Sequence, residues 1–128
     1  MVKIESPAIS IAKAHVEAWS RHDWAAARDL LASDVKVAVN TTQPIMAPVN
    51  TTGVDAYMEG LIYFAKGVVP GSARVTASSG DKHNALLMVT VEADMGGGKV
   101  TLPAARLYLI DDNDLIKSEQ VIFYAAEA

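Results

Sequence analysis

The stretch His15-Val-Glu-Ala-Trp19-Ser-Arg-His-Asp23-Trp24-Ala-Ala-Ala-Arg-Asp-Leu-Leu-Ala-Ser-Asp34-Val-Lys-Val37 decides the fold. Its first part continues an apolar stripe at helical spacing: Ala8, Ile11, Ala12, His15, Val16 and Trp19, with Lys13, Glu17 and Ser20 on the other side. Ser6-Pro7 supplies a capping hydroxyl and a proline at the first helical position. The helix is expected to end near Arg21-His22. Asp23 then caps a short second helix, with Ala27, Leu30 and Leu31 facing inward. Val35 to Val39, alternating with Lys36, reads as a strand.

Residues 40–52 carry Asn, Thr and two prolines and read as a loop. Thr52-Gly-Val-Asp55 reads as a capping box with Asp in place of Glu. A third helix should run to about Lys66, with Val54, Tyr57, Met58, Leu61 and Ala65 on its inner stripe, and Gly67 can close it. The rest is β: Ala73–Ser78, Ala85–Met95, Val100–Ile110 and Leu115–Tyr124, joined by short polar or Gly-rich turns suited to antiparallel hairpins. Helices first and a meander afterwards predict an α+β domain with helices against one sheet face.

A length of 128 residues suits a single domain, residues 1–128. Hydrophobic residues make up 51% and charged residues 20%, which excludes disorder. A net charge of −4 without a basic cluster excludes a nucleic-acid backbone as partner. With no cysteine, disulfides and thiolate metal sites are ruled out. The opening Met-Val-Lys-Ile-Glu-Ser-Pro has no apolar signal core, and no apolar run reaches membrane length, so a cytoplasmic chain without a membrane partner is expected.

In its order α-α-β-α-β-β-β-β, in the Trp19…Asp23-Trp24…Asp34 region and in its final strand after an acidic turn, the chain resembles the nuclear-transport-factor-like superfamily. The likeness is to its SnoaL-like and ketosteroid-isomerase-like branch and spans nearly the whole chain. That superfamily includes ketosteroid isomerases, limonene epoxide hydrolases, scytalone dehydratases and SnoaL-like polyketide cyclases. The resemblance implies a cone, a curved antiparallel sheet wrapped around three N-terminal helices. It also implies a pocket at the wide end and a homodimer through the outer sheet face.

Two residues are candidates for chemistry. His15 lies on the apolar stripe one turn before Trp19, and the resemblance puts it where ketosteroid isomerases carry an oxyanion-hole tyrosine. An imidazole there could donate to a carbonyl or shuttle a proton, or it could be a core histidine bonded to backbone. Glu119 shares a strand face with Val121 and Phe123, the row that looks into the pocket in the superfamily. Among apolar neighbours its pKa is expected to rise, which suits an acid or base; the alternative is a solvent-facing Glu.

Glu92 depends on register. Leu87, Val89, Val91 and Ala93 form an apolar row taken as core, which leaves Glu92 outside the pocket. The catalytic aspartates of the resembled enzymes fall at Val39-Asn40, Ala105 and Val121, so steroid isomerase or epoxide hydrolase activity is not expected. Asn40 can hydrogen-bond but cannot accept a proton as a base. His15 and His22 are two helical turns apart, roughly 10 Å, too far to share a metal. Gly96-Gly-Gly-Lys99 lacks the spacing of a phosphate loop, and Asp111-Asp-Asn-Asp114 lacks the length of a calcium loop. No metal and no cofactor are expected.

The expected pocket is lined by Trp19, Asn40, Tyr57, Met58, Leu61, Phe64, Leu107, Val121 and Phe123 around His15 and Glu119. Arg106 and Tyr108, by alternation, are expected on the outer face with Gln120, Ile122 and Tyr124, forming a partly apolar dimer surface. The whole predicts a pocket for a small hydrophobic molecule, with proton-transfer chemistry of the isomerase, cyclase or dehydratase type on a carbonyl-containing ring compound. The alternative is a non-catalytic binding or dimeric protein-interaction module of the same fold.

Overall fold

The computed structural model describes residues 5–41, 49–94 and 96–124. The chain runs through α1 (Pro7–Ser20), α2 (Trp24–Asp29), β1 (Leu31–Thr41), β2 (Val49–Thr52), α3 (Val54–Ala65), β3 (Arg74–Gly80), β4 (Asn84–Asp94), β5 (Lys99–Ile110) and β6 (Ile116–Phe123). The six strands form one sheet in the order β2-β1-β6-β5-β4-β3, with α1 and α3 packed on its inner face and α2 against those two helices. This is the expected α+β architecture with two additions. A short strand, β2, pairs with β1 inside the stretch read as a loop, of which residues 42–48 lie outside the described ones. The last strand runs parallel to the first, while all other neighbours are antiparallel.

Local chemistry sets the helix ends. The Ser6 hydroxyl accepts from the Ile9 amide at 3.2 Å. At the far end of α1 the Asp23 amide donates to the Ala18 carbonyl and the His22 amide to that of Trp19, with His22 at φ +62°. That is a Schellman closure in which a histidine holds the left-handed position glycine usually takes. Asp23 then accepts from the Ala26 amide and starts α2 at once. The expected capping box at α3 does not form: Thr52 ends β2, and the helix cap is Gly53 without a side-chain bond. Gly53 sits at φ +101° and donates its amide to the Val35 carbonyl at 2.7 Å, so the chain turns from strand to helix with no room for a longer cap. Asp55 instead pairs with Arg28, tying α3 to α2.

The core sits between the helices and β4, β5 and β6. Ala8, Ala12, Val16 and Trp19 of α1 pack with Leu87, Val89 and Val91 of β4 and with Tyr57, Met58 and Leu61 of α3. The apolar row of β4 is therefore the inner row. Glu92 faces outward and accepts from Thr101 Oγ1 across the strand pair at 2.9 Å.

The register of β5 corrects one expectation. Leu87 stands opposite Arg106, Ala85 opposite Tyr108, and Tyr108 opposite Glu119. Directly opposed residues share a face, so Arg106 and Tyr108 turn inward and are 4% and 0% exposed. Leu107 turns outward, 43% exposed, against the expectation that it lines the pocket. Hydropathy alone favours Leu107 over a charged Arg106. The structure reverses this because Arg106 finds a buried counter-charge.

Candidate active site

Four elements deliver one polar cluster into the apolar interior. α1 supplies His15 and Trp19, one turn apart on the same face. α3 supplies Tyr57, β5 supplies Arg106 and Tyr108, and β6 supplies Glu119. All six are 0–4% exposed. Val37 of β1 is the parallel partner of Glu119 and closes the cluster on the remaining side.

Glu119 is the hub. One carboxylate oxygen accepts from the Tyr57 hydroxyl, and the other accepts from Arg106 Nη1 at 3.3 Å. The Arg106 guanidinium lies over the Trp19 ring, 4.9 Å from its centre. The His15 ring meets Tyr57 and Tyr108 edge-on, at centroid distances of 5.8 and 6.4 Å. Several polar atoms here have no hydrogen-bond partner: both His15 ring nitrogens, Trp19 Nε1, Arg106 Nε and the Tyr108 hydroxyl.

The electrostatics differ from the expectation for Glu119. Burial alone would push its pKa up. The Arg106 charge beside it, together with His15, Tyr57 and Tyr108, overrides burial and holds the carboxyl below the usual range. Glu119 is therefore an ion at neutral pH and not a proton-bearing acid. Burial lowers the His15 pKa from 6.5 to about 4, with Glu119 opposing and Arg106 assisting, so the imidazole is neutral. Burial, followed by the Glu119 charge, raises the pKa of both Tyr57 and Tyr108 well above the ordinary tyrosine value, so both keep their protons. For Arg106 burial opposes the charge, but Tyr108 and Glu119 more than offset it. The cluster thus offers a fixed ion pair, two phenol donors and a neutral imidazole able to donate from one nitrogen and accept at the other.

Of the expected pocket residues, His15, Trp19, Tyr57, Met58, Leu61, Val121 and Glu119 are buried, and Phe64 and Phe123 are half-buried. Phe64 links Trp19 to Phe123, at centroid distances of 6.1 and 5.6 Å. An aromatic run therefore leads from the cluster toward the half-exposed end of the interior. Asn40 is not brought in: it is exposed, on the side of β1 opposite Val35, Val37 and Val39. Arg106 and Tyr108 were missed, and the signal that could have found them is the hairpin register. Once Glu119 faces inward, its partner Tyr108 must also, and Arg106 with it.

A depression of about 320 Å³ opens over β2, β1 and β6, with Lys36, Asn50, Thr52 and Gln120 in its lining together with Val37 and Glu119. Lys36, Asn50, Thr52 and Gln120 are exposed, whereas Glu119 is buried and turns its carboxylate to Tyr57 and Arg106. No helix among the described residues is long and apolar enough to cross a membrane.

Comparison with protein families matches residues 12–119 to the SnoaL-like domain. No curated protein matches significantly. Among solved structures, a protein from Kribbella flavida DSM 17836 superposes with a TM-score of 0.78 at 24% identity, over 93% of this chain and 88% of that one. A protein with a ketosteroid isomerase-like fold from Catenulispora acidiphila DSM 44928, in complex with trimethylamine, gives 0.71 at 18% identity over 91% and 85%. An LEH-like epoxide hydrolase from M. tuberculosis gives 0.70 at 17% identity over 91% and 82%. At these identities the likeness is one of fold.

Proposed function

We propose, for a chain that belongs to the SnoaL-like domain family, a pocket protein that binds a small hydrophobic ring compound and moves a proton on it. The observation that carries this reading is the buried hub itself: an ionised Glu119 held by Arg106 and Tyr57, beside a neutral His15. His15 donates a hydrogen bond to the ligand's carbonyl oxygen. Glu119 accepts a proton from the carbon next to that carbonyl, and Arg106 and Tyr57 hold the carboxylate in place. Because Glu119 is a weak base, the step suits a carbon acid already acidified by its carbonyl. Trp19, Leu61, Phe64, Val121 and Phe123 provide the apolar walls.

A second reading has its own support. The six cluster residues are packed to 0–4% exposure, as in a structural core, which suits a binding module without turnover. A homodimer fits either reading. Leu86 and Leu107 stand opposite each other on the outer face at 40% and 43% exposure, with Ile122 at 42% beside Ala105.

The test is a thermal-shift screen against small ketones, lactones, epoxides and sterols, followed by turnover assays on any hit. A ligand at about 100 times its Kd adds roughly 2.7 kcal/mol of stability. Turnover lost in both His15→Ala and Glu119→Gln supports the catalytic reading. Binding without turnover supports the second, and full activity in either variant removes that residue's role.

A further inference from the structure

The polar end of the interior has a charge balance with consequences for what it can hold. Arg106 and Glu119 face each other with side chains 5% and 2% exposed, and each cancels the other. Every other Asp, Glu, Lys and Arg among the described residues is exposed or half-buried, so no further charge is at hand to compensate a guest. The titratable groups facing the pair are His15 from α1, Tyr57 from α3 and Tyr108 from β5, and all three are neutral at pH 7. Around the same pair lie the unpartnered atoms: the Trp19 and Arg106 N–H groups, which can only donate, and the His15 nitrogens and Tyr108 hydroxyl, which can donate or accept. Buried polar atoms of this kind are usually matched by a partner.

We propose that this cluster selects its ligand by charge, taking a neutral oxygen-bearing group, a carbonyl or a hydroxyl, and rejecting both a carboxylate and an ammonium. The inference rests on the pocket reading above. A neutral oxygen is met by several donors and adds no charge to a balanced pair. A carboxylate would be drawn to Arg106 but repelled by Glu119 at similar range, and would be buried without a counter-ion. An ammonium meets the mirror-image problem and finds mostly donors where it needs acceptors. The aromatic run from Trp19 through Phe64 to Phe123 favours a ring behind the oxygen.

The experiment titrates the intact protein with three probes of one shape: 2-acetonaphthone, 2-naphthoate and 2-naphthylmethylammonium, read by tryptophan fluorescence and thermal shift. The ketone is expected to bind at least about tenfold tighter than either ion at pH 7.5. Between pH 8 and 6 the naphthoate should gain about tenfold per unit, because only its protonated form enters, while ketone affinity stays level. Glu119→Gln leaves Arg106 unbalanced, and its preference should pass to the naphthoate. If that variant is too unstable to titrate, the pH series on the unaltered protein decides. Naphthoate binding as tightly as the ketone at pH 7.5, with no pH dependence, overturns charge selection and leaves the pocket standing. Failure of all three probes overturns the pocket reading and this inference with it.

Discussion

Arg106 and Glu119 form their ion pair on the diagonal of the β5–β6 ladder: Arg106 stands opposite Val121 and Glu119 opposite Tyr108, yet guanidinium and carboxylate meet at 3.3 Å. A diagonal contact needs long side chains and both residues on one face. It holds two charges in the core, with side chains only 5% and 2% exposed.

Removing one partner should therefore be severe. Glu119→Gln is expected to lose about 3–5 kcal/mol in urea unfolding, because Arg106 is left buried without its counter-charge. Replacing both, as Arg106→Met with Glu119→Leu, should recover a large part of that loss. A single variant within about 0.5 kcal/mol of the parent would mean that the pair is solvated in solution.

Acid should destabilise the fold well above the usual carboxylate range. The His15 pKa falls from 6.5 to about 4 on folding, so below pH 6.5 the unfolded chain takes up a proton that the native chain refuses. Stability is then lost progressively as pH drops from 6.5 toward 4, by on the order of 3 kcal/mol in all. Glu119, whose folded pKa is lowered, adds a loss of the same sign at still lower pH. Denaturation midpoints measured from pH 8 to 4 should show this slope. His15→Gln should flatten its upper part, and an unchanged slope in that variant would assign it to other groups.

Two glycines should respond in opposite directions to alanine. A Cβ at Gly80 would lie 2.3 Å from the Asn84 carbonyl oxygen and 3.1 Å from Ile9 Cγ1, so Gly80→Ala should cost about 1–3 kcal/mol. Gly60, inside α3, has nothing within 4 Å, and Gly60→Ala should add about 0.5–1 kcal/mol. Chemical denaturation of the two variants side by side checks both, and equal effects would contradict the packing described at Gly80.

Much of the fold was legible because its signals are local. The α1 stripe, the Ser6 and Asp23 caps and the hairpin turns each lie within a few residues of what they control. The inward turn of Arg106 was not local. On β5 the choice between Arg106 and Leu107 is set by the count of residues around the Asp111–Asp114 turn and by the partner strand, and hydropathy pointed the wrong way. The same gap hid the Glu119 ionisation state. Apolar sequence neighbours predicted a raised pKa, whereas Arg106, 13 residues earlier in the chain, lowers it. Strand β2 was hidden by its Asn and Thr content, although pairing with β1 makes it a strand.

The outer face offers a prediction of assembly. Leu107→Asp places a charge at the centre of the Leu86–Leu107–Ile122 patch without touching the interior. Sedimentation analysis should find the parent dimeric and the variant monomeric, with unchanged circular dichroism. A monomeric parent, or a variant still dimeric, would remove this face as the contact.

The parallel pairing of β1 with β6 has a consequence for how the chain folds. Val37 and Glu119 are partners, although most of the chain separates them, and β6 lies in the middle of the sheet between β1 and β5. The central strand is thus the last one made. On a ribosome the helices and the β3–β5 meander can emerge and collapse, but the place between β1 and β5 stays open until β6 itself has been made. Long-range closure of this kind slows folding and leaves sheet edges exposed in the meantime. The Arg106–Glu119 ion pair can therefore exist only once β6 has docked between β1 and β5.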